Sequence, residues 1–196
     1  MSRMRDAWLV VSALAVAGLA GCASPDPALY TLQPVPGVAA AGGVAVVIEV
    51  RRPGLAGYLD RPDIVLRDAG YQLHTNSQQR WAEPIGDMIG RVLTQDVAQR
   101  LPASTVFAES GAITADPGLR IEVDIARFDQ GGDGRLSLEC QVAIEAGRSH
   151  APVRARHISL QADPAGGDSA SLVAAMSGLL GQLADRLAQD VVGAGV

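Results

Sequence analysis

Residues able to do chemistry are sparse in this 196-residue chain, and the most telling is a thiol near its start. Cys22 directly follows Leu19-Ala20-Gly21, a small-residue cleavage signal. Before it lie a charge-free apolar run from Ala7 to Leu19 and a short positive segment carrying Arg3 and Arg5. That run is too short for a permanent membrane span and has the length and flanks of an export peptide. With Cys22 committed to the cleavage site, Cys140 has no partner within the chain, so neither a disulfide framework nor a cysteine metal site is expected. Cys140 sits in the alternating stretch Leu136 to Ile144, where a half-buried strand places it inside as a small apolar residue.

The remaining candidates for catalysis do not assemble. His74, His150 and His157 show no metal-ligand spacing, no Gly-x-Ser-x-Gly turn presents a nucleophile, and no glycine-rich loop opens a helix after a strand. Asp129 and Asp133 flank glycines in a way that superficially suggests calcium, but calcium also needs a bidentate carboxylate at the right offset, and the stretch reads as a hairpin turn. No catalytic residue, metal or cofactor is expected. The formal charge of −5 argues against a nucleic-acid partner. Arg148, His150, Arg154, Arg156 and His157 form the one basic concentration, with Arg154 and Arg156 on one strand face. They read as a solvated face with cross-strand ion pairs, the alternative being contact with anionic lipid head groups.

The box around Cys22 resembles the lipobox of bacterial lipoproteins, in which the thiol is joined to a diacylglycerol, the peptide is cut before the cysteine, and the new amino group is acylated. The resemblance implies an export peptide over residues 1–21, a lipidated tether over 22–27 and a domain over 28–196. Several acyl chains hold a domain at a membrane without any transmembrane helix. Ala23 stands where lipoproteins retained at the inner membrane resemble one another in having aspartate, so the expected location is the outer membrane, periplasmic face.

The elements that must position everything else follow from periodicity. Ala28–Gln33 reads as a strand, Pro34–Gly43 as a loop, and Gly43–Val50 as a central strand. Pro53–Gly57 breaks the pattern. Asp63–Arg67 and Tyr71–Thr75 make a hairpin around Asp68-Ala69-Gly70, and Asn76–Arg80 reads as a polar loop. Pro84 suits a first helical turn, and Ile85, Met88, Ile89, Val92, Leu93, Val97 and Leu101 form one apolar stripe ended by Pro102. Strands follow at Thr105–Glu109, Leu119–Phe128, Gly134–Glu145 and Val153–Gln161, the last three as a meander. A final helix is capped by Asp168 or Ser169 and striped from Leu172 to Val191. The expected fold is α+β, a mostly antiparallel sheet with two amphipathic helices packed on one face.

One loop differs in kind. Tyr58-Leu59-Asp60-Arg61-Pro62 places two sizeable apolar residues where a loop must run, and accessible apolar side chains there suit partner docking. The alternative is a structural turn in which Asp60 or Arg61 pairs with a nearby strand. Trp81 lies outside the stripe begun at Ile85, so it either staples the start of the helix to the sheet or anchors a partner. Tyr58, Leu59, Asp60, Arg61, Pro62 and Trp81 are therefore the candidate partner-binding residues.

These motifs carry a family resemblance. The lipobox, Tyr30-Thr31-Leu32, Tyr58-Leu59-Asp60-Arg61-Pro62 with Ile64-Val65 and Arg67, Arg80-Trp81-Ala82-Glu83-Pro84, and Arg127-Phe128-Asp129 before a glycine turn occur in order across nearly the whole mature chain. Together they resemble the PqiC (YmbA) family of ABC-type transport auxiliary lipoproteins. The resemblance implies a non-enzymatic outer-membrane lipoprotein that works with an MCE-domain (PqiB-like) protein and its membrane components in phospholipid traffic and envelope integrity. A homo-oligomer is compatible with it. The rival reading is a periplasmic lipid carrier with its own apolar pocket.

Overall fold

The computed structural model describes residues 26–43, 45–109, 115–147 and 149–194. The export segment, Cys22 and the start of the tether, together with Val44 and Arg148, lie outside the described residues. One nine-stranded sheet runs in the order β1 (Ala28–Tyr30), β5 (Leu73–Trp81), β4 (Asp63–Arg67), β7 (Leu119–Gln130), β2 (Val47–Val50) and β6 (Thr105–Ala108). β3 (Gly54–Leu55) pairs beside β7, and β8 (Leu136–Ala146) and β9 (Pro152–Ala162) extend the sheet from β7. The long ladders, β7 with β8 and β8 with β9, and the β4–β5 hairpin are antiparallel. The short strands β1, β2 and β3 join in parallel, as does the contact of β4 with β7.

Two helices supply the other layer. In α1 (Ile85–Arg100) Pro84 occupies the capping position, and its carbonyl accepts from the amides of Asp87 and Met88 at 3.1 Å. The predicted stripe is buried along its length, with Arg100 buried at the far end. α2 (Ser169–Gly193) starts at Asp168, whose carboxylate accepts from the Ser171 amide at 2.8 Å, and it buries Leu172, Met176, Leu179, Leu180, Leu183, Leu187 and Val191. The α2 stripe packs on β8, with its Leu138, Cys140, Val142 and Ile144, and the α1 stripe on β2 and β6, all in a single core, while Gln141, His157 and Ser159 stay exposed on the opposite sheet face. Each such buried aliphatic side chain contributes about 1.5–3 kcal/mol, which is why the helices lie on one face only. Burial, with the charge of Asp124 adding to it, pushes the Cys140 thiol up to about 11, so it is an inert core residue.

Several segments depart from the expectation for physical reasons. β1 ends at Tyr30, short of Gln33, because the chain there leaves the sheet to cross both helices. Gln33 donates its amide to Ser177 Oγ at 3.1 Å, Val35 to Asp96 Oδ1 at 2.8 Å, and Ala40 to the Arg100 carbonyl at 2.8 Å. Pro53–Gly57 is not a plain break, since Gly54 and Leu55 form β3 against β7, with the Asp124 carboxylate lying over Gly54 where a Cβ would stand. Asn76–Arg80 is extended as part of β5 and not a loop, because residues 79–81 pair with β1. Its register against β4 nevertheless jumps from Arg80 opposite Asp63 to Thr75 opposite Val65, so residues 76–79 bulge outward. Arg154 and Arg156, still partly exposed, pair with α2 and not across strands: both reach Asp190, at 3.4 and 2.8 Å.

Candidate partner-docking site

The Tyr58 loop is positioned by a break in strand parity. In β7 the odd residues Leu119 to Ile125 face the core; then Ile125 lies opposite Cys140 and Arg127 opposite Glu139, leaving Ala126 as an extra residue. This bulge sends Phe128 into the core and turns Arg127 and Asp129 to the other face. Asp129 arrives beneath Tyr58 and Arg67 with its side chain 0% exposed.

Three residues converge on that carboxylate. The Tyr58 hydroxyl donates to Oδ2 at 2.5 Å, Arg67 donates through Nη2 to Oδ2 at 2.9 Å and through Nε to Oδ1 at 3.2 Å, and Arg127 Nε donates to Oδ1 at 3.0 Å. The Arg67 guanidinium also lies 5.6 Å from the centroid of the Tyr58 ring, within cation–π range. Burial alone would push the Asp129 carboxyl up, but the hydrogen bonds from Arg67, Tyr58 and Arg127 outweigh it and hold the group below its ordinary value. Burial, then the bond to Asp129, pushes Tyr58 up to about 12, so its hydroxyl stays protonated and keeps donating. The hydrogen bond to Asp129 likewise raises the basicity of Arg67.

The six candidate residues divide. Tyr58 is half-buried and serves the Asp129 network. Leu59 is 3% exposed and Trp81 6% exposed, so both belong to the core and neither is available as an apolar docking residue; this corrects the expectation that they lie on the surface. Trp81 acts as the staple, its amide donating to the Pro62 carbonyl at 2.7 Å while Ala82 donates to Tyr30 at 2.9 Å, which ties the loop, β1 and the start of α1 together. Asp60, Arg61 and Pro62 are exposed. The Arg61 amide is held by the Leu59 carbonyl at 2.8 Å, leaving its guanidinium directed outward from a fixed backbone. Nearby, Arg52 pairs with Asp87 at 2.5 Å; that hydrogen bond foremost, with the fields of Asp60 and Glu109 adding to it, raises its basicity. Asp129, Arg67 and Arg127 were absent from the candidate residues, although the apolar spacing of three from Ile125 to Phe128 carries the signal of a bulge.

Among the described residues no group of three or more histidine, cysteine, aspartate or glutamate side chains is placed to hold a metal, and no helix is long and apolar enough to cross a membrane. The arrangement is a polar brace of Tyr58, Arg67, Arg127 and Asp129, joined through Tyr58 to a short exposed loop.

A family model described as the ABC-type transport auxiliary lipoprotein component matches residues 30–188. The chain belongs to this family of auxiliary transport lipoproteins. A Xanthomonas campestris protein of the DUF330 family has a similar crystal structure, with a TM-score of 0.72 and 18% identity over 86% of this chain and 96% of that one. The crystal structure of an uncharacterized protein aligns with a TM-score of 0.71 and 14% identity, covering 85% of this chain and 99% of the other. These likenesses are of fold. No curated protein matches the chain.

Proposed function

We propose that the protein is a lipid-anchored auxiliary subunit on the periplasmic face of the outer membrane, docking an MCE-type partner of an intermembrane phospholipid transport system. In this reading residues 1–21 are the export peptide, Cys22 carries the acyl chains and residues 22–27 are the tether. The domain acts by binding and not by catalysis. The observation that carries the docking role is the exposed Asp60-Arg61-Pro62 loop held by the Tyr58–Asp129–Arg67 brace in a chain of this family. A planar guanidinium on a backbone already fixed by Pro62 and the brace offers paired donors to a partner carboxylate at low ordering cost.

A photo-crosslinking side chain in place of Arg61, carried by the full chain in its native envelope, tests the reading. Capture of an MCE-domain protein supports it. Capture of no protein, together with phospholipid co-extracted by the purified domain, would favour the lipid carrier instead. The anchor is tested separately by Cys22→Ser, which is expected to leave the domain folded and to release it from the membrane fraction with no acyl label.

A further inference from the structure

The fold says which end of the domain faces the bilayer. β1 runs parallel to β5, with Ala28 beside Gln79 and Tyr30 beside Trp81, so the chain before Ala28 approaches from the end of β5 that begins at Leu73. Ala28 comes six residues after Cys22, and six steps of chain reach at most about 20 Å. The tip of the β4–β5 hairpin lies within that reach: Arg80 stands opposite Asp63 and Leu73 opposite Arg67, four residues of β4 or about 13 Å apart. That tip carries Tyr71, whose side chain is fully exposed. Asp68 and Gln72 close the turn, Gly70 takes a φ of +90°, and Gly132 of the β7–β8 turn packs so near Ala69 that an added Cβ would lie 2.7 Å from its amide nitrogen. Tyr71 is thus a bare aromatic on a supported tip, at the end of the sheet from which the chain enters β1.

We propose that Tyr71 and the β4–β5 tip sit in the head-group layer of the membrane that holds Cys22, which leaves the Asp60-Arg61-Pro62 loop, at the opposite end of β4, facing away from it. This rests on the anchor reading of Cys22. A tyrosine suits such a layer because its ring buries apolar area while its hydroxyl stays hydrated. Charge selects the lipid. Asp68, Asp133, Asp163 and Asp168 lie at or next to the same end, and Asp68 pairs with His74 at 3.0 Å and Asp163 with Arg135 at 3.2 Å. Carboxylates prevail there, so the surface it fits is zwitterionic phospholipid, and anionic lipid is repelled.

The test uses the full acylated chain in phosphatidylcholine vesicles whose acyl chains carry a quencher. A polarity-sensitive fluorophore is attached at Tyr71→Cys or, as the distal control, at Ala82→Cys; buried Cys140 stays unlabelled. The expected result is several-fold stronger quenching at position 71 than at 82, decreasing as phosphatidylglycerol replaces phosphatidylcholine. Protein that floats with the vesicles but shows equal quenching at the two positions overturns the proposal and leaves the anchor standing. Protein that is not acylated and does not float removes the anchor and the proposal together. A probe at 71 already shielded in soluble Cys22→Ser protein, without lipid, assigns the tip to a second copy of the chain and overturns the proposal as well.

Discussion

Asp129 and Asp96 are both buried aspartates, and their surroundings move them in opposite directions. Asp129 receives donors from Tyr58, Arg67 and Arg127 and is held below its ordinary pKa. Asp96, 0% exposed on α1, receives the Val35 amide on Oδ1, while its Oδ2 has no hydrogen-bond partner among the described residues. Burial raises its pKa; the Val35 amide and the field of Arg100 oppose the rise only in part, and Asp185 adds to it. Arg100 is itself engaged by Asp185 and by the carbonyls of Val35 and Asp96. Burial is common to both sites, so the number of donors decides the sign. One carboxylate ties Tyr58, Arg67 and Arg127 together at the far end of β4, and the other pins the 34–43 crossover to the helices.

Asp129→Ala should have the largest effect. It leaves two guanidinium groups and the Tyr58 hydroxyl without their acceptor, and a loss of about 3 kcal/mol is expected in urea unfolding. That is the low end for a broken buried pair, since Arg67 and Arg127 can swing toward water. Asp129 also fixes a pH dependence. Its folded pKa lies below the unfolded value, so its stabilisation is present above about pH 4 and lost as pH falls through the folded value. Asp129→Asn should flatten that acid limb. Next in size, Tyr58→Phe removes one donor to a charged acceptor and is expected to cost about 1.5 kcal/mol by the same measurement. Smallest is Asp96→Asn. A raised pKa means that stability is lost as pH rises through the folded value, so the neutral amide should remove a decline on the way from pH 4 to 7 and change stability at pH 7 by under about 1 kcal/mol. A loss at pH 7 equal to that of Asp129→Ala would erase the distinction between the sites.

What could be read from the chain was what is local. The stripes of α1 and α2, a cap at Asp168 or Ser169 and the burial of Cys140 follow from spacing alone, because a helix or strand imposes its period on its own residues; the structure places the cap at Asp168. What escaped depends on residues far apart in sequence. Nothing in the alternation of β9 names Asp190, 34 residues beyond Arg156, as the partner of its arginines. The parallel contacts of β1, β2 and β3 are likewise invisible in strands of two to four residues. In the Tyr58 loop the pattern marks Tyr58 to Pro62 as unusual but does not separate inward from outward: Leu59 and Trp81 fill the core, Tyr58 caps a carboxylate, and Asp60, Arg61 and Pro62 face out. The Ala126 bulge makes that division, since it brings Asp129 to the loop.

In the proposed docking role, Tyr58, Arg67 and Asp129 brace a loop whose exposed Arg61 binds the partner. Arg61→Ala tests it most directly, measured for thermal unfolding and for affinity to the captured partner. A surface truncation away from the brace should leave stability within about 0.5 kcal/mol of the parent. The account predicts unchanged unfolding with at least about a tenfold loss of affinity, the scale of a hot-spot arginine. Arg61→Ala protein that melts normally and binds as tightly as the parent would contradict it.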